Sequence, residues 1–405
     1  MAAERLTLLF LLLACVLHFP VGSLRTYRGY KLFQVTPTTD AHANVLRQLK
    51  EESHEMEFLT GLKRNRVTTF VVPPSETSWA HDLLVDHGMK IKTSDLQSLL
   101  DRERQRVRSR FAYAKAGRTK PPLSHDDYRD LDEVDKSLGR NPEKRVIIVE
   151  ALTHAREWIA GAAILYVIDQ LLYQYKMNDG DARRALDMYK WIFVPVANPD
   201  GYHHTWAEDR MWRKNRRQMH GCVGVDINRN YNIDFKGTEK RYTRNCKTCV
   251  YAGPEPFSEP ESQNIKHLVE SNLSRLQAFV PLHSFQQALF APWGFTKERP
   301  TRHEELDRVG KLMLQTLLSF GKKYEYGISL DLLGYPVSGD AADWVFSMAP
   351  WSYTYVYELR PGNYSSCTFI LPPEEIVPTG KEVYASLMTM VREMKPVETD
   401  HDEDN

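Results

Sequence analysis

The sequence predicts an α/β protein in two units: a small leading α/β domain, then a larger domain whose sheet is covered by helices on both faces. Three observations carry that prediction. Strand-like and helix-like segments alternate along most of the chain. Beyond Val146 the strand-like runs are continuously apolar, as in strands buried on both faces. The 405 residues, 42% hydrophobic and 26% charged, suffice for a large core. Lys+Arg and Asp+Glu both number 53, so no global charge favours nucleic acid or a membrane surface, and neither is expected as a partner.

The chain opens with "MAAERLTLLFLLLACVLHFPVGS". An early Arg5, an apolar run from Leu6 to Leu17 and small residues at Val21 to Ser23 have the layout of a secretory signal over residues 1–23. The run is short for a membrane span, so a secreted, extracellular product is expected. Of five cysteines, Cys15 leaves with the signal. Cys222, Cys246, Cys249 and Cys367 remain, an even number that suggests disulfides in a secreted chain. Asn272 and Asn363 begin Asn-x-Ser glycosylation acceptors.

Residues 24–105 form the leading domain. "YKLFQVTP" and "VTTFVVPP" alternate like strands, while "DAHANVLRQLKEE" and "SETSWAHDLLVDHGM" have helical spacing. Residues 106–120 read as a basic linker. Five arginines lie between Arg102 and Arg110 with no apolar period, an exposed target for a trypsin-like protease. The larger domain spans 121–396, and 397–405 is an acidic tail. Its strand candidates are "RVIIVEAL", "KWIFVPVANP", "LQAFVPLHS" and "SYTYVYELR". Its helix candidates include "GAAILYVIDQLLYQY", "SEPESQNIKHLVESNL", "ELDRVGKLMLQTLLSFGKK" and "PTGKEVYASLMTMVREM".

Ligands of such folds gather at the carboxyl ends of the strands, and His154, Asn198, His283 and Glu358 lie at or near those ends. In "EALTHAREW", His154 and Glu157 stand three residues apart where a strand hands over to a helix, so both can face one side of a turn. His283 in "VPLHSF" can reach the same point from another strand end. Two imidazoles and a carboxylate are the ligand set of a catalytic zinc, which leaves a place for water and lowers its pKa to about 7. Glu358 closes the apolar strand "SYTYVYELR", where a carboxylate is costly without a partner or a task. It pairs with Arg360 or acts as a general base.

The ordered set "THAREW", "NPDGY", "WRKNR", "GVDINRN", "LHS", "DW" and "ELR" resembles the secreted funnelin-type zinc metallocarboxypeptidases, the pancreatic and digestive A/B type made as a pro-enzyme. The resemblance covers nearly everything after the signal. It implies a mixed sheet sandwiched between helices, preceded by a ferredoxin-like activation domain. The activity it implies is hydrolysis of the C-terminal residue of peptides and proteins. One Zn2+ per chain is implied on His154, Glu157 and His283, with Glu358 as base and Arg213 polarising the scissile carbonyl. Asn228 and Arg229 match the clamp on the terminal carboxylate, Tyr335 the mobile tyrosine over the substrate, and Arg156 a secondary subsite. Ala342 matches the floor of the side-chain pocket. A small neutral floor implies apolar or aromatic terminal residues, whereas Asp340, where the family has Gly, keeps a B-like preference for basic residues open. The implied partners are substrates with a free C-terminus and an activating trypsin-like protease; a monomer is expected. The competing expectation is a secreted, non-catalytic homologue that binds peptides or partners.

Three further departures accompany Asp340. Phe285 replaces a Tyr and Pro361 an Asp. The stretch before His154 is about thirty residues shorter than the family pattern, shortening the first helix and edge hairpin and stripping the sheet's edge. Cys222 matches the family's disulfide position, with Cys246 or Cys249 as its partner.

Overall fold

The computed structural model describes residues 25–53, 55–115, 144–237, 240–362 and 368–395. The signal segment, residues 116–120 of the linker, the start of the larger domain, Asn363, Cys367 and the acidic tail lie outside these residues. No described helix is long and apolar enough to cross a membrane.

The leading unit is a four-stranded antiparallel sheet. Its strands are β1 (Lys31–Val35), β2 (Glu57–Phe58), β3 (Thr68–Val72) and β4 (Ile91–Asp95), in the order β2-β3-β1-β4. Helix α1 (Asp40–Glu52) starts where the Thr39 hydroxyl accepts the His42 N–H, and it buries Val45, Leu46 and Leu49. Helix α2 (Thr77–Asp86) buries Ala80 and Leu84 on the same core with Phe33 and Phe70. Helix α3 spans Leu96–Lys115. The arginine-rich stretch read as linker is therefore helical as far as Lys115. Arg, Gln, Glu, Leu and Lys are good helix formers, and no Gly or Pro intervenes before Gly117.

The larger unit is a mixed seven-stranded sheet. Its main path is β11 (Glu325–Ile328), β10 (Ala288–Ala291), β13 (Val356–Leu359), β9 (Leu276–Ser284), β5 (Arg145–Ala151) and β6 (Tyr189–Val194), with β12 (Tyr353–Thr354) beside β9. The pairs β5–β6, β5–β9 and β9–β13 are parallel, while β10–β13 is antiparallel. The small hairpin β7 (Gln218–Met219) and β8 (Cys222–Val223) stands apart. Among the described residues β6 is an outer strand. On one face, helices α4 (Trp158–Lys176), α5 (Gly180–Met188), α8 (His303–Leu318) and α10 (Ile376–Glu393) cover Ile147, Val149, Val280, Leu282, Tyr355 and Tyr357. On the other, α7 (Pro260–Glu270), α9 (Ala341–Met348) and the turn holding Tyr231 cover Val146, Ile148 and Phe279. Helix α6 (Pro199–Ala207) begins at Asn198, whose side chain accepts the Gly201 N–H and donates to Thr153 O and Lys214 O. Cys222 is bonded to Cys246, 24 residues on, and Cys249 is a free thiol. Asn272 is buried, and its amide donates to Leu268 O.

Two positions test this packing. A Cβ on Gly380 of α10 would lie 2.4 Å from the Tyr166 ring of α4. Ala is worth about 0.5–1 kcal/mol over Gly inside a helix, but overpacking costs about 1–3 kcal/mol. Gly380→Ala should therefore lower the melting temperature; an increase would show that the helices separate freely.

Glu305 in the first turn of α8 accepts from Arg308 Nε and Nη2, each at 3.0 Å, and from the Tyr353 hydroxyl at 2.7 Å, with Lys395 at 3.4 Å. The Arg308 bonds chiefly hold its carboxyl down at about 2. A depressed carboxyl stabilises above its unfolded value and loses that contribution as pH falls through the folded one. The melting-temperature gap between wild type and Glu305→Gln should accordingly shrink between about pH 4.5 and pH 2. A gap constant over that window would exclude the charge as its source.

Candidate active site

Parallel pairing sets β5, β9 and β13 side by side with their carboxyl ends together. Glu358 of β13 stands opposite His283 of β9. Beyond β5 the chain turns through Thr153 to Arg156 before α4, with Glu157 as the last residue outside the helix. This turn brings His154 and Glu157 beneath His283. The His154 Nδ1 lies 2.8 Å from Glu157 Oε1 and 3.1 Å from His283 Nδ1, which is 3.0 Å from Glu157 Oε2. All three residues are buried.

The surroundings fix their orientation. His154 Nε2 lies 3.2 Å from Asp226 Oδ1, the arrangement of an Nε2–H donor with Nδ1 left bearing its lone pair. The Ser284 N–H donates to Glu157 Oε2 at 3.2 Å. Arg213 grips Asp226 through Nε at 3.0 Å and Nη2 at 2.9 Å, and its Nη1 is 3.9 Å from Glu157. Burial and Arg213 hold His154 below the usual imidazole range. Burial would raise Glu157, but His154 and His283 outweigh it and hold the carboxyl well down. Burial likewise opposes charge on His283, which the Glu157 carboxylate overcomes, raising it to about 9. Two Nδ1 atoms at 3.1 Å face each other stably only across a proton or a cation. One ligand atom from each of the three residues lies within 4.8 Å of the others, close to the roughly 4.4 Å that ligands of one ion at about 2.2 Å can span. The donor set therefore fits a divalent cation of zinc type.

Glu358 is half-buried beside this cluster. Burial first, then the Glu157 carboxylate, pushes it up to about 8 against the pull of His283, Arg213 and Arg229. Its sequence neighbour Arg360 does not engage it: that guanidinium binds Glu382 and Glu375. The salt-bridge explanation of Glu358 is thereby removed. Arg229 is buried, with Nη1 on Asn228 O at 2.8 Å and Nε without a partner among the described residues. The Asn228 carboxamide accepts the Ala341 N–H at 2.9 Å, and a Cβ on Gly339 would lie 2.3 Å from Arg229 O. Asn228, Arg229 and the start of α9, with Ala342 buried in its first turn, thus form one interlocked unit. Asp340 caps α9 by accepting the Asp343 N–H at 3.0 Å. Phe285 is buried against Phe369 with ring centroids 5.0 Å apart.

Two of the residues singled out in the sequence, Arg156 and Tyr335, meet the leading domain. Arg156 donates to Glu57 at 2.5 Å and stacks over Phe369 at 4.3 Å. Gly61 packs so closely on the Tyr335 ring that a Cβ there would lie 2.7 Å from it. Elsewhere in this contact Arg210 binds Glu103 through two bonds of 2.7 and 3.0 Å, Tyr27 donates to Asp209 at 2.7 Å, and Lys63 reaches Asp331 O. Met211, Phe285, Phe369 and Ile370 share one apolar cluster with Tyr27, Leu96, Leu99 and Leu100. Sequence reasoning did not single out Asp226, although it lies inside the quoted "GVDINRN". Glu57, Gly61 and Glu103 carried no local signal.

A family model described as zinc carboxypeptidase matches residues 119–386, and one described as carboxypeptidase activation peptide matches residues 33–103. The chain is 30% identical over 417 residues to zinc carboxypeptidase A 1 of Anopheles gambiae, covering 94% of this chain and 93% of that protein. It is 29% identical over 391 residues to mast cell carboxypeptidase A of Mus musculus, covering 88% and 91%. The crystal structure of carboxypeptidase A from Helicoverpa armigera superposes with a TM-score of 0.75 at 24% identity, covering 91% of this chain and 98% of that one, a likeness of fold. The chain belongs to the zinc carboxypeptidases, in the form that carries an activation peptide.

Proposed function

We propose that this metallocarboxypeptidase is secreted, removes single residues from the free C-terminus of peptides, and prefers apolar or aromatic ones. The observation that carries the reading is the buried convergence of His154, Glu157 and His283 beside Glu358. His154 and His283 through Nδ1, and Glu157 through its carboxylate, would hold the zinc. Bound zinc supplies a Lewis acid and lowers the pKa of a coordinated water to about 7.

The chain's own residues do the rest. Glu358 takes a proton from the attacking water and returns it to the leaving amine. A carboxyl raised towards neutral pH suits a group that must both accept and give back a proton. The Arg213 guanidinium, fixed by Asp226, faces the charge that develops on the scissile carbonyl. Arg229, with free N–H capacity, and Asn228 hold the terminal carboxylate, which sets the bond that meets the cluster and makes the action exopeptidic. Tyr335 closes over the substrate, Arg156 serves a subsite further along the peptide, and Ala342 leaves room for a large apolar side chain. The Asp340 carboxylate is occupied as the α9 cap and lies within the field of Arg229, which favours the apolar preference over the basic one. Residues 24–105 are the activation domain and 106–120 the segment a trypsin-like protease cuts. The contacts of Glu57 with Arg156 and of Gly61 with Tyr335 support a domain that occupies the cleft until then.

Three experiments test this. Glu358→Gln keeps the shape but cannot take the proton. It should fold, hold zinc and lose about 10²–10⁴ in kcat on peptides ending in Phe or Leu; near-normal turnover per zinc-loaded molecule would remove Glu358 from the mechanism. Limited trypsin treatment should raise hydrolysis of free C-termini while blocked ones stay intact. Full activity in the uncut chain would refute the covering role of the leading domain. Efficient release of Lys or Arg that Asp340→Gly abolishes would replace the apolar preference with the basic one.

A further inference from the structure

Each of the three clustered residues needs something behind it. His154 has Asp226 and Glu157 has the Ser284 N–H. The far nitrogen of His283, Nε2, is buried with no partner among the described residues. Several other buried polar atoms share that condition, and two of them lie on the face of the sheet that carries His283: Glu150 Oε2 and the Tyr231 hydroxyl oxygen. Glu150 is 1% exposed, His283 2% and Tyr231 0%.

The sheet places the three on one face. Along β5, Val146 and Ile148 point into the core beneath α9, and Glu150 follows at the same period of two. Along β9, Phe279 points into that core and His283 follows it at even spacing. Glu150 pairs with Pro281, one step of the same period before His283. Tyr231 packs on this same face. The Glu150 carboxylate is near enough for its charge to act on the His283 ring and on the Tyr231 phenol. Its other oxygen has only the Thr153 hydroxyl, at 3.4 Å. A buried carboxylate so poorly bonded is costly. Three unpartnered polar atoms on one buried face are the partners that a buried water would need.

We propose that Glu150 is a positioning residue for the metal centre: through one buried water, shared with the Tyr231 hydroxyl, its Oε2 holds the His283 Nε2–H and fixes the imidazole with its Nδ1 lone pair towards Glu157 and His154. The inference rests on the ligand set proposed above and deepens it. Carboxylates behind ligating histidines fix tautomer and ring orientation, and their loss costs about 10–100-fold in metal affinity. His154 has such a carboxylate by direct contact; His283 has one at a distance of one water.

The test uses the full chain and reads zinc affinity by competition with a chelator, together with the NMR signal of the His283 Nε2–H. In wild type that proton should be hydrogen-bonded and slow to exchange. Glu150→Leu should weaken zinc binding about 10–100-fold per folded molecule and release the proton to fast exchange. Glu150→Gln, whose amide oxygen still accepts, should restore both towards wild type. A purely structural Glu150 would lower the melting temperature and leave affinity and proton signal unchanged, and that result overturns the proposal. Should Glu150→Leu not fold, Tyr231→Phe removes the third partner of the water: faster exchange with weaker zinc binding supports the proposal, and no change in either overturns it. His283→Ala separates the two levels, since undiminished zinc affinity in that variant would defeat the ligand set itself.

Discussion

Three buried atoms with lone pairs facing one another are the constraint on which the site depends. Left to themselves, the His154 and His283 Nδ1 atoms and the Glu157 carboxylate would drift apart or take up a proton. They are held by elements that have nothing to gain locally from the arrangement. A turn between β5 and α4 carries two of them and a strand end carries the third. Asp226 is gripped by Arg213 so that it can in turn orient His154. The mixed sheet supplies the rigidity, because β5, β9 and β13 are buried in continuous ladders with helices on either side.

The same constraint explains why the cleft and the pocket are not independent. Asn228 and Arg229 lie two and three residues after Asp226 in the chain, and Asn228 is tied to the start of α9 by the Ala341 N–H. A shift of the Asp226 turn would move the carboxylate beside His154 and the Asn228–Arg229 pair together. The leading domain uses this economy. Glu57 takes Arg156, Gly61 presses on Tyr335, and Leu99 and Leu100 join the apolar wall around Phe285 and Phe369. One docked domain therefore engages Arg156 and Tyr335, and meets the sheet at its far edge, where Arg66 pairs with Glu325 of β11.

Much of this was legible in the sequence, where a strong period or a costly residue marked it. Continuous apolar runs identified β5, β6, β9 and β13, and amphipathic spacing identified α1, α4, α8 and α10. His154 and Glu157 stood out because polar groups interrupt a strand-to-helix handover. Short elements were illegible: β10 and β11 have four residues each, too few for a period. Helix α9 is nearly all apolar and buried, so it shows no polar face to read. Helix α3 runs on into the arginines because helix propensity continues where the apolar stripe stops. The choice between Cys246 and Cys249 depended on the turn that places Cys246 with its Cα 6.0 Å from that of Cys222. Sequence proximity suggested Arg360 for Glu358, yet Arg360 lies past the strand's last residue and turns to Glu382 on α10. Long-range partners such as Asp226 for His154 and Glu103 for Arg210 leave no local trace.

The proposed zinc is held by two imidazole nitrogens and a carboxylate, with the free thiol of Cys249 left out. Zinc-edge X-ray absorption on the purified chain measures this directly. The predicted result is one zinc per chain with nitrogen and oxygen neighbours at about 2.0–2.2 Å and the outer-shell scattering of two imidazoles. A sulfur neighbour at about 2.3 Å, or a protein that retains no zinc, would contradict it.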